Sequence, residues 1–437
     1  MQTLPIESLR PAMNRPSSEE RPQAAAAQPA TAAGDARAPL DAAARRRRDR
    51  AIVLLLGACV AIGPLAMDIY LPSLPAMAAA LQTTPALAQA TIATYMAGYA
   101  IAQLIHGPAS DRWGRRPVLL VGVAVFAAAS FLCAAVPSID PLLWGRAVQA
   151  VGVAAGMVLA RTIIRDLYER EQAARLLALT AVMLGVAPIV APLIGAALQV
   201  AFGWRSTFLF LGAYGMLLLA LLLRYLPETR AAHAGPSPAL REAMRQLASN
   251  RAYRVNVACS CGVMIGLFAF LAASPVVLMQ IGGLSVLQFG IAFAAIMAGN
   301  VTGALLSARY VMRWGLERTR IVGAWLVFAA GVATLLSGWI RPHDGVLVVV
   351  PFFAYMIGFS LTMPQVTAAA LTPFARLAGL ASSVMGLLQF SVAAAAAAIV
   401  SALGDGTVRP MATMIFAGAA IVMAAAWVAR PVREPDR

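Results

Sequence analysis

Gly107-Pro108-Ala109-Ser110-Asp111-Arg112-Trp113-Gly114-Arg115-Arg116 joins two apolar runs, each long enough to cross a bilayer. A worn copy follows one half-chain later at Arg313-Trp314-Gly315. A connection this short reads as a ten-residue turn at one membrane face, its one acid and three arginines able to pair among themselves. The copy keeps Arg-Trp-Gly but has Met312 where the first has Asp111. Met96-Ala97-Gly98 also returns as Met297-Ala298-Gly299, at the same offset (297 − 96 and 313 − 112 both give 201). The chain is therefore a parallel duplication of membrane helices whose halves have diverged.

Composition agrees. The chain has 437 residues, 60% hydrophobic and 12% charged, with a mean hydropathy of +0.76. That is more apolar surface than a soluble domain can bury, and it calls for lipid bilayer as the surrounding partner. The net charge of +15 sits mostly in the short segments between apolar runs and not on a soluble basic face, which excludes nucleic acid as a partner. Cys59, Cys133, Cys259 and Cys261 fall inside apolar runs without zinc-site spacing, so no metal, cofactor or disulfide is expected. No nucleophile and base stand in a catalytic pattern, so the chain does not read as an enzyme.

Apolar runs of about 20 residues, the length that crosses roughly 30 Å of hydrocarbon, number twelve. They begin near Ala51, Ala90, Pro117, Pro141, Arg175, Arg205, Tyr253, Gln288, Ile321, Gly345, Ala378 and Arg409. If both termini are cytoplasmic, most inter-span arginines fall inside and only Arg205, Arg341 and Arg409 outside, as the positive-inside rule requires. The Arg45–Arg48 cluster holds the start of the first span on that side. The expected order is a disordered N-terminal tail (1–50), a six-helix bundle (51–226), a polar linker (227–252), a second six-helix bundle (253–430) and a short tail (431–437). The fold class is all-α: twelve transmembrane helices in two pseudo-symmetric bundles.

Charged groups inside such spans cost about 2.5–3.5 kcal/mol each on insertion scales, so they are functional candidates. Asp68 in span 1 and Arg146 in span 4 stand out, an acid that can lose its charge beside a base that keeps it. Gln149 shares the face of Arg146 at i+3. Tyr95, Tyr99, Gln103 and His106 form a polar-aromatic stripe along span 2. With Tyr70 they suit a wet cavity wall, to which Phe268, Asn300, Gln365 and Gln389 of the second half are added; His106 reads as an interfacial histidine. Pro188 and Pro192 in span 5, with Gly195, remove two helix hydrogen bonds and predict a bend that the second half lacks.

These residues resemble the major facilitator superfamily, in its proton-driven drug-efflux group with twelve spans. The opening stretch is similar to the signature Gly-x-x-x-Asp-Arg-x-Gly-Arg-Arg, with Gly107, Asp111, Arg112, Gly114, Arg115 and Arg116 in place. Arg146, Gln149 and Gly152 resemble Arg-x-x-Gln-Gly-x-Gly, with Ala150 for a glycine. Span 5 is similar to Gly-x-x-x-Gly-Pro-x-x-Gly-Gly, keeping Pro192 and Gly195, with Ala187, Ala191 and Ala196 where glycines are usual. Met67–Pro72, Gly107-Pro108 and Ala160–Leu167 look like the Bcr/CflA branch, associated with bicyclomycin and chloramphenicol resistance.

The resemblance implies a bacterial inner-membrane antiporter that exchanges protons for small amphipathic drugs by alternating access, acting as a monomer. Asp68 and Arg146 would couple protons, and the Gly107–Arg116 residues would gate the cytoplasmic side, Asp111 pairing with arginines and helix ends. Some multidrug relatives carry a further acid where this chain has Val60, which counts against permanently cationic substrates. An exporter or uniporter of a sugar or amino acid would share the fold, and a non-transporting sensor is a third reading.

Overall fold

Gly114 alone separates the first two long helices of the signature stretch. The computed structural model describes residues 37–229 and 240–428. In chain order the helices are α1 (Arg37–Asp68), α2 (Leu74–Ala80), α3 (Pro85–Trp113), α4 (Arg115–Ala135), α5 (Ile139–Leu167), α6 (Arg170–Phe202) and α7 (Arg205–Tyr225). There follow α8 (Leu240–Ser249), α9 (Arg251–Pro275), α10 (Val286–Ile340), α11 (Val349–Leu371), α12 (Ala378–Ala402) and α13 (Arg409–Val428). No strand occurs among the described residues. Two compact units divide the chain: Met1–Arg47, which contributes only the start of α1 among the described residues, and Arg48–Arg437, which holds every other helix.

The ten-residue turn is corrected. Helix α3 runs on through Gly107 to Trp113, and α4 starts at Arg115. Gly114, at φ 100° and ψ 158°, occupies a region open essentially to glycine alone, so this one residue and not the whole signature reverses the chain. Its repeat, Gly315, takes φ 76° and ψ 170° and breaks the 55-residue α10 into two membrane-length halves. Among the described residues ten helices are long and apolar enough to span a membrane. Counting α10 twice and adding the more polar α3 gives twelve spans.

The helix starts repeat as well. Thr84 caps α3 by accepting from the Leu87 amide, and Ser285 caps α10 by accepting from Gln288, again 201 residues on (285 − 84 = 201). The Thr84 cap carries α3 back to Pro85, ahead of the expected Ala90. Helical backbone also extends N-terminal to Ala51, to Arg37, where the sequence suggests a structureless tail. The remaining tail residues 1–36, linker residues 230–239 and the tail at 431–437 lie outside the described residues. Within the expected linker, α8 is a short amphipathic helix that buries Ala243 and Leu247, spaced i and i+4, and packs against α9.

Glycine sets the closest helix approaches, and these too come in pairs. A Cβ on Gly98 of α3 would strike the Ala147 carbonyl of α5, and one on Gly299 of α10 would strike the Phe353 carbonyl of α11. Gly152 of α5 lies on the backbone of Gly122 and Phe126, and Gly358 of α11 on that of Gly323 and Val327. The two halves meet along α3 with α12 and α6 with α10. Each seam is the repeat of the other, since α3 corresponds to the first part of α10 and α6 to α12.

The helix α6 passes without interruption through Pro188 and Pro192. Gly195 takes the close approach of the Ile69 backbone, and Pro192 lies under Gly290 of α10. Smallness at these positions thus serves contact with α1 and with the opposite half.

Candidate functional site

Arg146 is the most deeply enclosed ionic group among the described residues, with no solvent exposure. The i, i+3 spacing puts Gln149 on its face of α5, and Gly152 one turn further lets α4 close over that face. The guanidinium carbon lies 4.2 Å from the ring centres of both Tyr70 and Tyr95 and 5.8 Å from that of Phe208. Its Nη1 donates to the Ala66 carbonyl at 3.1 Å and to Gln149 Oε1. Gln149 Nε2 in turn donates to Ser130 Oγ at 2.7 Å, and Ser130 donates to the Phe126 carbonyl at 2.7 Å. Three side chains are thereby locked in one donor direction.

Helix α1 ends at Asp68, so the Ala66 carbonyl is one of its last four acceptors and lacks an intrahelical partner. Arg146 supplies one and sets a cation at the negative end of that helix dipole. A desolvated cation over an aromatic ring gains about 2 kcal/mol, whereas burying an ion costs several. The two tyrosines therefore hold Arg146 only together with its hydrogen bonds. Arg146 Nε and Nη2 have no hydrogen-bond partner.

Asp68 lies at the same end of α1, 4% exposed, and its Oδ1 has no partner. Among the described residues no ion pair joins it to Arg146, whose positive charge is held by rings, an amide and a carbonyl. The acid and base singled out from sequence thus share one helix end without neutralising each other.

The tyrosine stripe of α3 runs down from this node. Tyr70 Oη is 3.0 Å from Thr91 Oγ1, and Tyr95 Oη donates to the Gly63 carbonyl at 3.3 Å. Tyr99 Oη lies 2.9 Å from Met157 Sδ, and its ring is 4.3 Å from Phe390 of α12, across the seam between halves. Gln103 lies beside Gly386 of α12. His106 Nε2 is 2.8 Å from the Val151 carbonyl.

In the second half, Asn300 is tied to Ser360 and Gln365 donates to Ser307 at 2.7 Å, which joins α10 to α11. Phe268 is buried and Gln389 half-buried in α12. The second-half residues therefore lie apart from Arg146, whereas Tyr70, Tyr95 and Gln149 surround it.

At the face that carries Gly114, Glu228 joins the signature residues. Its Oε1 accepts from the Arg115 amide at 3.0 Å and from Thr229 at 2.9 Å, capping the positive end of α4. Arg115 donates to Ser110 Oγ at 2.6 Å and pairs with Asp166 at 3.4 Å, and Arg116 donates to the Leu223 carbonyl at the end of α7. Exposed Arg112 lies over Trp113, and Gly107 stands in open space. The side chain of Asp111 lies outside the described residues.

Residues 56–398 match the model of the Major Facilitator Superfamily. The chain is 32% identical over 381 residues to "Multidrug resistance protein D" of Escherichia coli, covering 85% of this chain and 94% of that one. It is 30% identical to a "Chloramphenicol resistance protein" of Pseudomonas aeruginosa, covering 87% and 91%. Among solved structures it superposes on a bacterial homologue of the lysosomal transporter Spinster, inward-facing and unoccupied (TM-score 0.70, 16% identity, 87% and 97% covered). It also superposes on a partially occluded inward-open xylose transporter of Escherichia coli (TM-score 0.68, 13% identity, 89% and 99% covered).

A duplicated twelve-span helical protein with this buried polar node is a multi-pass membrane transporter in class. The chain belongs to the Major Facilitator Superfamily.

Proposed function

We propose that this protein exports small amphipathic drugs, chloramphenicol- or bicyclomycin-like, in exchange for protons across a bacterial inner membrane. Its motifs at Met67–Pro72, Gly107-Pro108 and Ala160–Leu167 support placement in the Bcr/CflA branch. The arginine-rich face at Gly114 is cytoplasmic in this reading, as are both termini. One chain supplies both halves, so a monomer suffices. The bundles 51–226 and 253–430 rock about the seams of α3 with α12 and α6 with α10.

The observation that carries the reading is Asp68, enclosed at the end of α1 with its Oδ1 unpartnered and, among the described residues, no ion pair to Arg146, whose Nη1 is held by the Ala66 carbonyl and Gln149. Such a carboxyl can take up and release a proton without breaking a salt bridge, and its change of charge acts directly on the α1 end that Arg146 caps. The amphipathic substrate passes along Tyr99, Gln103 and Gln389, with Phe268, Asn300 and Gln365 on the opposite side. Glu228, Arg115, Arg116 and Asp166 hold α4 to α5 and α7 when the cytoplasmic side is closed and release them when it opens.

Inverted vesicles with an imposed proton gradient test this. Asp68→Asn is expected to abolish gradient-driven chloramphenicol accumulation while leaving equilibrium binding of the drug in place. Undiminished accumulation would remove Asp68 from the coupling step.

A further inference from the structure

Closer to the Gly114 face, α1, α5 and α6 line a half-open cavity of about 240 Å³. Arg161 and Arg165 of α5, both exposed, form one wall, and Val60, Leu177, Ala181 and Leu184 form most of the rest. The two arginines are four residues apart and so lie on the same face of the helix, a spacing at which like charges repel. Neither has a hydrogen-bond or ion-pair partner among the described residues, and the neighbouring acid, Asp166, is engaged by Arg115 at 3.4 Å. The α1 wall offers Val60 and no carboxylate. Thr180, also in the lining, spends its hydroxyl proton on the Leu177 carbonyl at 2.8 Å. The side-chain donors left to the cavity are the two guanidinium groups.

The Arg146 node differs: there rings, a carbonyl and an amide surround a fully buried cation, whereas Arg161 and Arg165 stand exposed at an open cavity. We infer that this cavity binds the acidic group of an amphipathic molecule, a carboxylate, enolate or phosphate oxyanion held by Arg161 and Arg165 with its apolar part on Leu177, Leu184 and Val60. Two guanidinium forks suit a planar or tetrahedral oxyanion, and charge-assisted bonds of this kind are about twice as strong as neutral ones. Drug-sized pockets begin near ~300 Å³, so the cavity takes the acidic end and leaves the remainder to extend beyond it. Arg161 lies within electrostatic reach of Tyr99, whose ring touches Phe390 across the seam, and this gives that direction. The inference rests on the exporter reading only in calling the ligand a substrate; a lipid headgroup presents the same chemistry.

The test compares nalidixate, a small carboxylate amphiphile, with its neutral methyl ester, using the full chain in phosphatidylcholine nanodiscs. The acid is expected to bind at least about tenfold more tightly than the ester. Arg161→Gln/Arg165→Gln brings the ratio to within about twofold, whereas Arg161→Lys/Arg165→Lys keeps the acid preferred. Val60→Asp, which adds the missing carboxylate without touching either arginine, erases the preference and admits tetraphenylphosphonium. Equal binding of acid and ester by the unaltered chain overturns the inference, as does a preference that survives the Gln pair or is lost equally in the Lys pair. Repeating the titration with phosphatidylglycerol discs separates the two sources. Weakened nalidixate binding there assigns the site to anionic headgroups, and unchanged binding assigns it to a soluble amphiphile. The readout needs no gradient, so its failure leaves proton-driven export of neutral drugs standing, and failure of that export leaves the acid-to-ester ratio measurable.

Discussion

Where Gly98 meets Ala147 in the first half and Gly299 meets Phe353 in the second, the preceding residue is Arg146 in one and Phe352 in the other. Around Arg146 stand Tyr70, Tyr95, Gln149 and a helix-end carbonyl. Around Phe352 stand Phe270, stacked at 3.8 Å, and Tyr355 at 4.9 Å. At this position the backbone frame is common to both halves, while the charge stands in one. The duplication has kept the small residues that bring helices together and let the groups that fill the space between them diverge, so that this one position holds a cation in the first half and an aromatic ring in the second.

The sharpest way to break the comparison is to exchange the two residues. Phe352→Arg places an ion between the rings of Phe270 and Tyr355 without the helix-end carbonyl and amide that hold Arg146, and should destabilise the protein by on the order of 3–5 kcal/mol. Loss of monodisperse material in detergent would report it. Arg146→Met is expected to do the opposite to stability, since an apolar side chain of similar length in place of a buried ion is often neutral or stabilising. Its melting temperature should hold while proton-driven flux falls by at least about 100-fold, ~2.7 kcal/mol in the barrier. A variant that lost stability and flux together would reduce Arg146 to a structural tie.

The two glycine hinges allow a finer comparison. Alanine at Gly315 meets only backbone strain, about 1–3 kcal/mol, because nothing lies within 4 Å of its Cβ. Alanine at Gly114 meets the same strain and, in addition, Glu228 Oε2 at 2.8 Å. Thermal melts should therefore rank Gly114→Ala below Gly315→Ala, and equal melts would mean that the Glu228 cap yields freely. The smallest effect belongs to Glu228→Gln, which keeps an acceptor but removes the charge at the α4 N-terminus, worth roughly 0.3–1 kcal/mol. The deficit should shrink as salt is raised.

Much of this was legible in the sequence. Twelve spans, the duplication and the isolation of Arg146 and Asp68 follow from apolar run length, a fixed offset and the cost of charge in hydrocarbon. The length of the signature turn was not legible, because Gly107 and Pro108 look like helix breakers while the deciding feature is a backbone angle at Gly114. Glu228 carries no such mark, although Pro227-Glu228-Thr229 visibly ends a span. Its partner amide lies 113 residues away in the chain, and no local pattern joins them. The same holds for Asn300, whose polarity suggests a cavity wall and whose partner Ser360 lies 60 residues away on α11. Side-chain type marks where polarity is retained, and tertiary placement decides whether it faces a ligand or a neighbouring helix.

The enclosure of Arg146 also bears on how the protein is made. Helix α5 must enter the bilayer bearing a charge that resists insertion by about 2.5–3.5 kcal/mol. The Ala66 carbonyl and the rings of Tyr70 and Tyr95 all belong to segments synthesised earlier, on α1, the short stretch after it and α3. A ribosome therefore delivers the receptors before the cation. Truncated nascent chains that lack Tyr70 and Tyr95 should leave α5 stalled at the translocon, so the groups that receive Arg146 in the finished protein would also act as an assembly checkpoint during its birth.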